Sequence, residues 1–357
     1  MRRLIVVFSI AIILLQSVLS CTPTSQSPAY TPPSVSAPAP IPTPIPESTP
    51  TPTPAPPPAP EPTPEPAIVI PTTPVEVIKD IKYGKAGNIP LLLDVYIPET
   101  PIATPMPAIV YIHGGSWRIG NKAISNPLRS YRTYLARHGF LTVSINYRLS
   151  GVAPFPAAVE DCKCAVRWLR ANAERYNVDP ERIGVWGASA GGHLAMMVGC
   201  VDETADLEGN GGWSKHSSRV QAVCSYYGTA DLPSEYPTVP NVRRSFDIEQ
   251  FLGGTLDEFP QIYEAASPIN YVTADDPPLL LVHGDLDPQV PFAQSEIMYR
   301  VCQQAGLKAT LIEVTGGGHG GEGGVFQQVT DSPISPSFDE IHQIVMDFFI
   351  EHLLLNR

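Results

Sequence analysis

Three side chains in this sequence have the types and spacing for nucleophilic chemistry: Ser189, an aspartate at position 285 or 287, and His319. Ser189 stands in Gly187-Ala-Ser-Ala-Gly191, directly after a short apolar run at 183–186 and before a helical-looking stretch at 194–198. A strand that becomes a helix with almost no loop forces the residue at the apex into a strained backbone conformation. Side chains two residues to either side would collide, so both flanks require glycine. The hydroxyl is then held out towards solvent. The helix start also offers the unpaired N–H of Ala190 and the positive end of a dipole to a developing negative charge. A serine hydroxyl is protonated at neutral pH, so it needs an adjacent base, and the base needs a third group to orient it.

Those partners stand past the ends of later strand-like runs. His283-Gly-Asp285-Leu-Asp287-Pro follows the run at 278–282, and Thr-Gly-Gly-Gly-His319-Gly-Gly follows the run at 310–314. Of eight histidines, His319 alone is an isolated imidazole in a glycine loop just past a late strand; His138, His193, His342 and His352 read as packing or surface positions. Asp287 is preferred to Asp285 as the acid, because it lies further beyond the strand, where a loop can turn its carboxylate towards His319. Calcium binding by Asp-Leu-Asp would need EF-hand spacing, which is missing. His113-Gly-Gly-Ser-Trp117 follows the run at 108–112. Its glycines leave backbone N–H groups bare, so Gly115 and Ser116 are expected to act with Ala190 as donors to an oxyanion. His113 reads as a brace for this loop and Trp117 as packing.

The elements that must carry these residues follow from periodicity. Residues 76–83 and 90–97 alternate like an antiparallel pair at a sheet edge, and the continuous apolar run 108–112 suits a strand buried on both faces. Further strands are expected at 140–147, 183–186, 220–226, 278–283 and 310–314. Helices are expected at 128–137, at 156–176 with proline in the first turn, at 293–305 and at 337–354. Such alternation means crossover helices on a mostly parallel sheet. Two stretches break it: 202–218, Gly-rich and polar, and 229–274, without clear period. Both are open between lid or pocket material and surface decoration.

The stretches His113-Gly-Gly-Ser-Trp117, Asn146-Tyr-Arg-Leu149, Phe155-Pro-Ala-Ala-Val-Glu-Asp161, Asp179-Pro-Glu-Arg-Ile183, Gly187-Ala-Ser-Ala-Gly-Gly-His193 and His283-Gly-Asp-Leu-Asp287 carry a resemblance. From about residue 75 onward the chain resembles the α/β-hydrolase-fold serine esterases of the hormone-sensitive-lipase-like group, especially the branch similar to bifunctional acetylxylan and feruloyl esterases. The resemblance implies an α/β-hydrolase fold, a mostly parallel eight-stranded sheet with helices on both faces. It also implies a triad at Ser189, Asp287 and His319 and ester hydrolysis without a cofactor. Ser116 stands where many relatives have a third glycine. Formamidases and prolyl-oligopeptidase-type peptidases share the fold, so amide cleavage stays open. A silent surface-binding module is the non-enzyme alternative, against which the intact Ser, Asp and His argue.

Composition divides the 357 residues unevenly: 21 of the 41 prolines fall between Pro23 and Pro74, and such a segment cannot build a core. Three regions are expected: a signal peptide at 1–20, a lipidated Cys21 with a disordered Pro/Thr-rich linker at 21–74, and a catalytic domain at 75–357. Arg2-Arg3 precede an apolar run at 4–15 that is short for a membrane span, and Val18-Leu-Ser-Cys21 resembles the lipobox of bacterial lipoproteins. An ordinary cleaved signal, or an uncleaved anchor with an incidental cysteine, is the alternative. An extended polyproline tether could reach roughly 160 Å, holding the domain away from a membrane in an extracytoplasmic location. The net charge of −12 with no basic run argues against nucleic acid as a partner. Cys162, Cys164, Cys200, Cys224 and Cys302 are odd in number, and Cys200 and Cys224 are a pair that could meet. Neither zinc spacing nor His-Glu-x-x-His occurs, so no metal is expected. Oligomeric state is not legible.

Overall fold

The computed structural model describes residues 72–123, 131–236, 242–320 and 326–355. The expected signal peptide, Cys21, the linker to residue 71 and residues 128–130 of the first expected helix lie outside the described residues.

Eight strands form one sheet in the order β1-β2-β4-β3-β5-β6-β7-β8. β1 (Val75–Ala86) pairs antiparallel with β2 (Ile89–Pro98), and β2 antiparallel with β4 (Leu141–Ile145). From β4 onward every pairing is parallel, through β3 (Met106–Ile112), β5 (Val178–Ala188), β6 (Ala222–Tyr226), β7 (Leu279–Gly284) and β8 (Ala309–Val314). All seven residues of β3 are buried, and alternate ones feed opposite layers: Ala108, Val110 and Ile112 into one apolar cluster, Ile109 and Tyr111 into the other. A strand covered on both faces must be apolar throughout, so the run at 108–112 lacks a period of two.

Helices cover both faces. α2 (Ala157–Ala171), α3 (Ala190–Cys200) and α7 (Ala293–Ala305) supply the first cluster, and α1 (Tyr131–Arg137) and α8 (Phe338–Ile350) the second. α8 begins where Ser337 and Glu340 cap each other's backbone N–H groups. β3 lies between β4 and β5, so the chain leaves β3 towards one edge and later continues towards the other. The carboxyl ends of β3 and β5 therefore flank the point where strand order reverses, which is where an open α/β sheet leaves a crevice.

Three points that the sequence leaves open are decided by the structure. Residues 229–274 are largely helical: α4 (Leu232–Glu235), α5 (Val242–Leu252), α6 (Pro260–Ala265) and a 3-10 turn at Pro268–Tyr271. The inward stripe of α5 contains Arg244, Asp247, Ile248, Phe251 and Leu252. Its spacing is helical, but it starts with charged residues, which hid it from a hydrophobic pattern. Residues 202–218 do not line the cavity around Ser189. They follow α3 to the opposite end of the sheet, where Glu208 binds Lys163 and Arg167 of α2 and the Trp213 indole donates to the Tyr83 carbonyl over 2.6 Å. Cys200 and Cys224 do not meet: one packs in the first apolar cluster and the other in the second, with the sheet between them. All five described cysteines are buried thiols.

Candidate active site

Ser189 connects β5 to α3 with φ +56° and ψ −123°, a conformation L-residues rarely adopt. Its N–H donates to the Tyr226 carbonyl over 2.8 Å, tying the turn to β6. The flanking glycines are sterically required. A Cβ on Gly187 would lie 2.1 Å from the Gly191 oxygen, and one on Gly191 would lie 2.2 Å from the Ile112 oxygen. The second contact brings the start of α3 against the end of β3, so the serine turn and the glycine loop after β3 share one crevice.

His319 Nε2 lies 3.0 Å from Ser189 Oγ, and His319 Nδ1 lies 2.7 Å from Asp287 Oδ2. A carboxylate only accepts, so Nδ1 carries the proton and the bare Nε2 faces the serine hydroxyl. The Asp287 side chain is fully buried, and its Oδ1 accepts from the N–H groups of Gln289 and Val290 over 2.8 and 2.9 Å. Burial alone pushes this carboxyl up; hydrogen bonds from His283 and His319 outweigh that and hold it well below the usual carboxylate range. His283 sits beneath. Its Nε2 faces two acceptors, the Val290 carbonyl at 3.0 Å and Asp287 Oδ2 at 3.4 Å, and its Nδ1 lies 2.7 Å from the Ser295 hydroxyl. Asp285 has a different place. Its Oδ1 accepts from the Gly316 N–H over 2.7 Å, and the Leu286 N–H donates to the Gly317 carbonyl over 3.0 Å. These bonds fasten the loop after β7 to the loop after β8 and so set Asp287 beside His319.

The loop after β3 turns through three consecutive positive φ values, Gly115 at +115°, Ser116 at +53° and Trp117 at +56°. At Ser116 glycine would be at ease. The N–H groups of Arg118 and Ile119 both donate to the Gly115 carbonyl over 3.0 Å. Gly114, Gly115 and Ser116 line the same cavity of about 610 Å³ as Ser189 and His319. Ala190 is buried at the start of α3, in the first turn, where helix N–H groups lack intrahelical partners. His113 braces the loop: Nδ1 approaches the Gly114 carbonyl at 2.7 Å and the ring stacks on Tyr147 with centroids 4.3 Å apart. Trp117 is fully buried.

Residues that sequence reasoning passed over complete the site. Tyr227, at φ +37°, presses its ring on His319 with centroids 4.6 Å apart; only its place just after a parallel strand could have marked it. His193, read as packing or surface, is a buried polar link to Trp117. Arg118, Arg243, Arg244 and Asp247 line the cavity, the last three from α5, whose existence the sequence pattern did not reveal. Among the described residues no group of three or more His, Cys, Asp or Glu side chains is arranged to hold a metal ion.

A family profile for BD-FAE matches residues 93–301, more than half of the chain. The chain belongs to the BD-FAE family. This BD-FAE protein is 34% identical over 230 residues to Esterase LipQ of Mycobacterium tuberculosis, an alignment covering 64% of this chain and 53% of LipQ. It thus spans about half the length of the curated relatives it matches. Among solved structures, it resembles a truncated carbohydrate esterase from gut microbiota with a TM-score of 0.65 and 33% identity, covering 79% of this chain and 97% of that one. It also resembles esterase 2 of Thermogutta terrifontis phosphonylated by sarin, with a TM-score of 0.62 and 26% identity over 81% of this chain and 98% of that one. The BD-FAE chain has the α/β-hydrolase fold, and its resemblance to hormone-sensitive-lipase-like esterases is borne out.

Proposed function

We propose that this protein is a serine carboxylic-ester hydrolase acting through an acyl-enzyme on small or carbohydrate-linked esters. The observation that carries the reading is the relay from Ser189 Oγ to His319 Nε2 at 3.0 Å and from His319 Nδ1 to Asp287 at 2.7 Å, inside a cavity of about 610 Å³. His319 takes the Ser189 proton as Oγ attacks the ester carbonyl, and then gives it to the leaving alcohol. Asp287 holds the ring in the Nδ1–H tautomer and stabilises the imidazolium. Water, activated by the same ring, frees the acid from Ser189. The N–H groups of Gly115, Ser116 and Ala190 are the donors assigned to the carbonyl oxygen when it becomes an anion. None of these steps calls for a cofactor. The esterase names of the relatives support the reaction class, and the likeness to a carbohydrate esterase supports a sugar-linked alcohol.

The same reading extends to the N-terminus, with Cys21 lipidated and the Pro/Thr segment tethering the domain outside the cytoplasm at a membrane. Arg2-Arg3, the apolar run that follows and Ser20-Cys21 support it. Mass spectrometry of the N-terminal peptide from membrane fractions tests it, and an unmodified Cys21 would retire the anchor.

For the reaction, purified protein is assayed on short-chain nitrophenyl esters, acetylated xylan, feruloyl esters and formyl amides beside Ser189→Ala. Ester turnover that the substitution lowers by at least about 10⁴-fold is expected. Equal inertness of both proteins, with no labelling of Ser189 by a fluorophosphonate, sinks the reading.

A further inference from the structure

The chain as a whole is acidic, with 35 Asp and Glu against 23 Lys and Arg, yet the cavity that holds Ser189 is not. Among its described lining residues are three arginines, Arg118, Arg243 and Arg244, and one carboxylate, Asp247. Arg244 is occupied: its guanidinium is bound to the fully buried Glu235 at 2.6 Å and to the Thr229 hydroxyl at 2.9 Å. Arg118 is placed differently. Its backbone sits on the glycine loop, where its N–H donates to the Gly115 carbonyl, and its side chain is 28% exposed. Asp247 of α5 takes Nε over 2.7 Å, which fixes the plane of the guanidinium. Among the described residues nothing binds Nη1 or Nη2. A planar fork of two donors, held from behind by a buried carboxylate, matches the two oxygens of a second carboxylate. Arg243 adds another cation to the same lining.

We propose that the cavity selects esters that carry a carboxylate, such as acylated hydroxy acids or esters of acidic sugars, with Arg118 Nη1 and Nη2 binding the carboxylate while Ser189 attacks the ester. The proposal rests on the hydrolase reading above and adds to it a substrate class. Asp247 acts as a positioning residue, because it aims the fork without meeting substrate.

The test compares 3- and 4-acetoxybenzoate with the matching neutral acetoxybenzamides. Wild type is expected to show at least about ten-fold higher kcat/KM for one of the anions, expressed mainly in KM and shrinking as ionic strength rises to about 0.5 M. Arg118→Gln should collapse this ratio, Arg118→Lys should restore part of it, and Asp247→Asn should weaken it. If Arg118→Gln does not fold, Arg118→Lys, Asp247→Asn and the salt titration of wild type still read the preference. Equal rates for anion and amide, with Ser189 labelled by a neutral fluorophosphonate, overturn the charge selection and leave the hydrolase intact. No turnover of any ester and no labelling overturn the hydrolase reading, and the substrate class falls with it.

Discussion

The indole N–H of Trp117 donates to His193 Nδ1 over 3.1 Å, and His193 Nε2 in turn lies 2.7 Å from the Ala266 carbonyl. An indole only donates, so the tautomer is fixed: Nδ1 accepts and Nε2–H donates. His193 lies one turn along α3 from Ser189, its N–H bonded to the Ser189 carbonyl over 3.0 Å. Trp117 ends the run of positive φ on the loop after β3 and is stacked between Phe251, with centroids 4.5 Å apart, and the Arg244 guanidinium, 4.9 Å away. One buried hydrogen bond therefore joins the helix that follows Ser189 to the loop that carries Gly115 and Ser116.

Breaking that bond should show in the rate. His193→Leu leaves a buried indole N–H without an acceptor, a loss of about 1–3 kcal/mol in stability. It should also lower kcat with little change in KM. His193→Asn, which can still present an acceptor to the indole, should recover part of kcat. A cycle with Trp117→Phe, measured by urea unfolding and by kinetics, checks that the two effects are coupled. Additive losses would mean that the two residues act separately.

Acid should reach the same bond. Burial is the main cause that lowers His193 to about 4 from the ordinary 6.5. A histidine lowered on folding leaves the native state with fewer protons than the unfolded chain between those values, so stability falls as pH drops from about 6.5 towards 4. The His193 contribution to this loss between pH 7 and pH 5 is about 2 kcal/mol. Urea midpoints across this range should therefore slope less steeply in His193→Asn than in wild type.

The two aspartates after β7 should separate cleanly. Asp287→Asn removes the group that fixes the His319 tautomer and should cut kcat by about 10³–10⁴-fold with the fold intact. Asp285→Asn weakens the tie to the Gly316 N–H and should cost about 1 kcal/mol, with a much smaller loss of rate. Circular dichroism melts beside steady-state kinetics distinguish the outcomes; comparable rate losses in both variants would leave Asp287 no special role.

At the serine turn, Gly191→Ala drives a methyl group to 2.2 Å from the Ile112 carbonyl. Relief requires β3 and α3 to part, so a loss of at least about 3 kcal/mol is expected, seen as a lowered melting temperature or insoluble protein. Ser116→Gly relaxes a strained φ and should keep or raise stability.

Much of this site was legible in order along the chain. Glycines flanking Ser189, a lone imidazole among glycines at 319 and an aspartate two residues past another at 287 each follow from local backbone demands, and strand ends announce themselves by apolar runs. Ser189, Asp287 and His319 are brought within hydrogen-bonding reach by the parallel register of β5 to β8 and by the bonds between the loops after β7 and β8. Other features were hidden for a common reason. The inward stripe of α5 begins with Arg244 and Asp247, charged residues that are buried only because Glu235 and Arg118 meet them from elsewhere in the chain. His193 looks like any helical histidine until Trp117, 76 residues away, supplies a donor. Cys200 and Cys224 looked close until the sheet came between them. The sequence by itself determined the tight turn at Ser189, the candidates for base and acid and the alternation that builds the sheet, since these depend on neighbours a few residues apart. Only the tertiary structure decided which aspartate faces His319, what holds the loop of Gly115 and Ser116, and which charges line the cavity, because each depends on a partner that folding brings from a distant part of the chain.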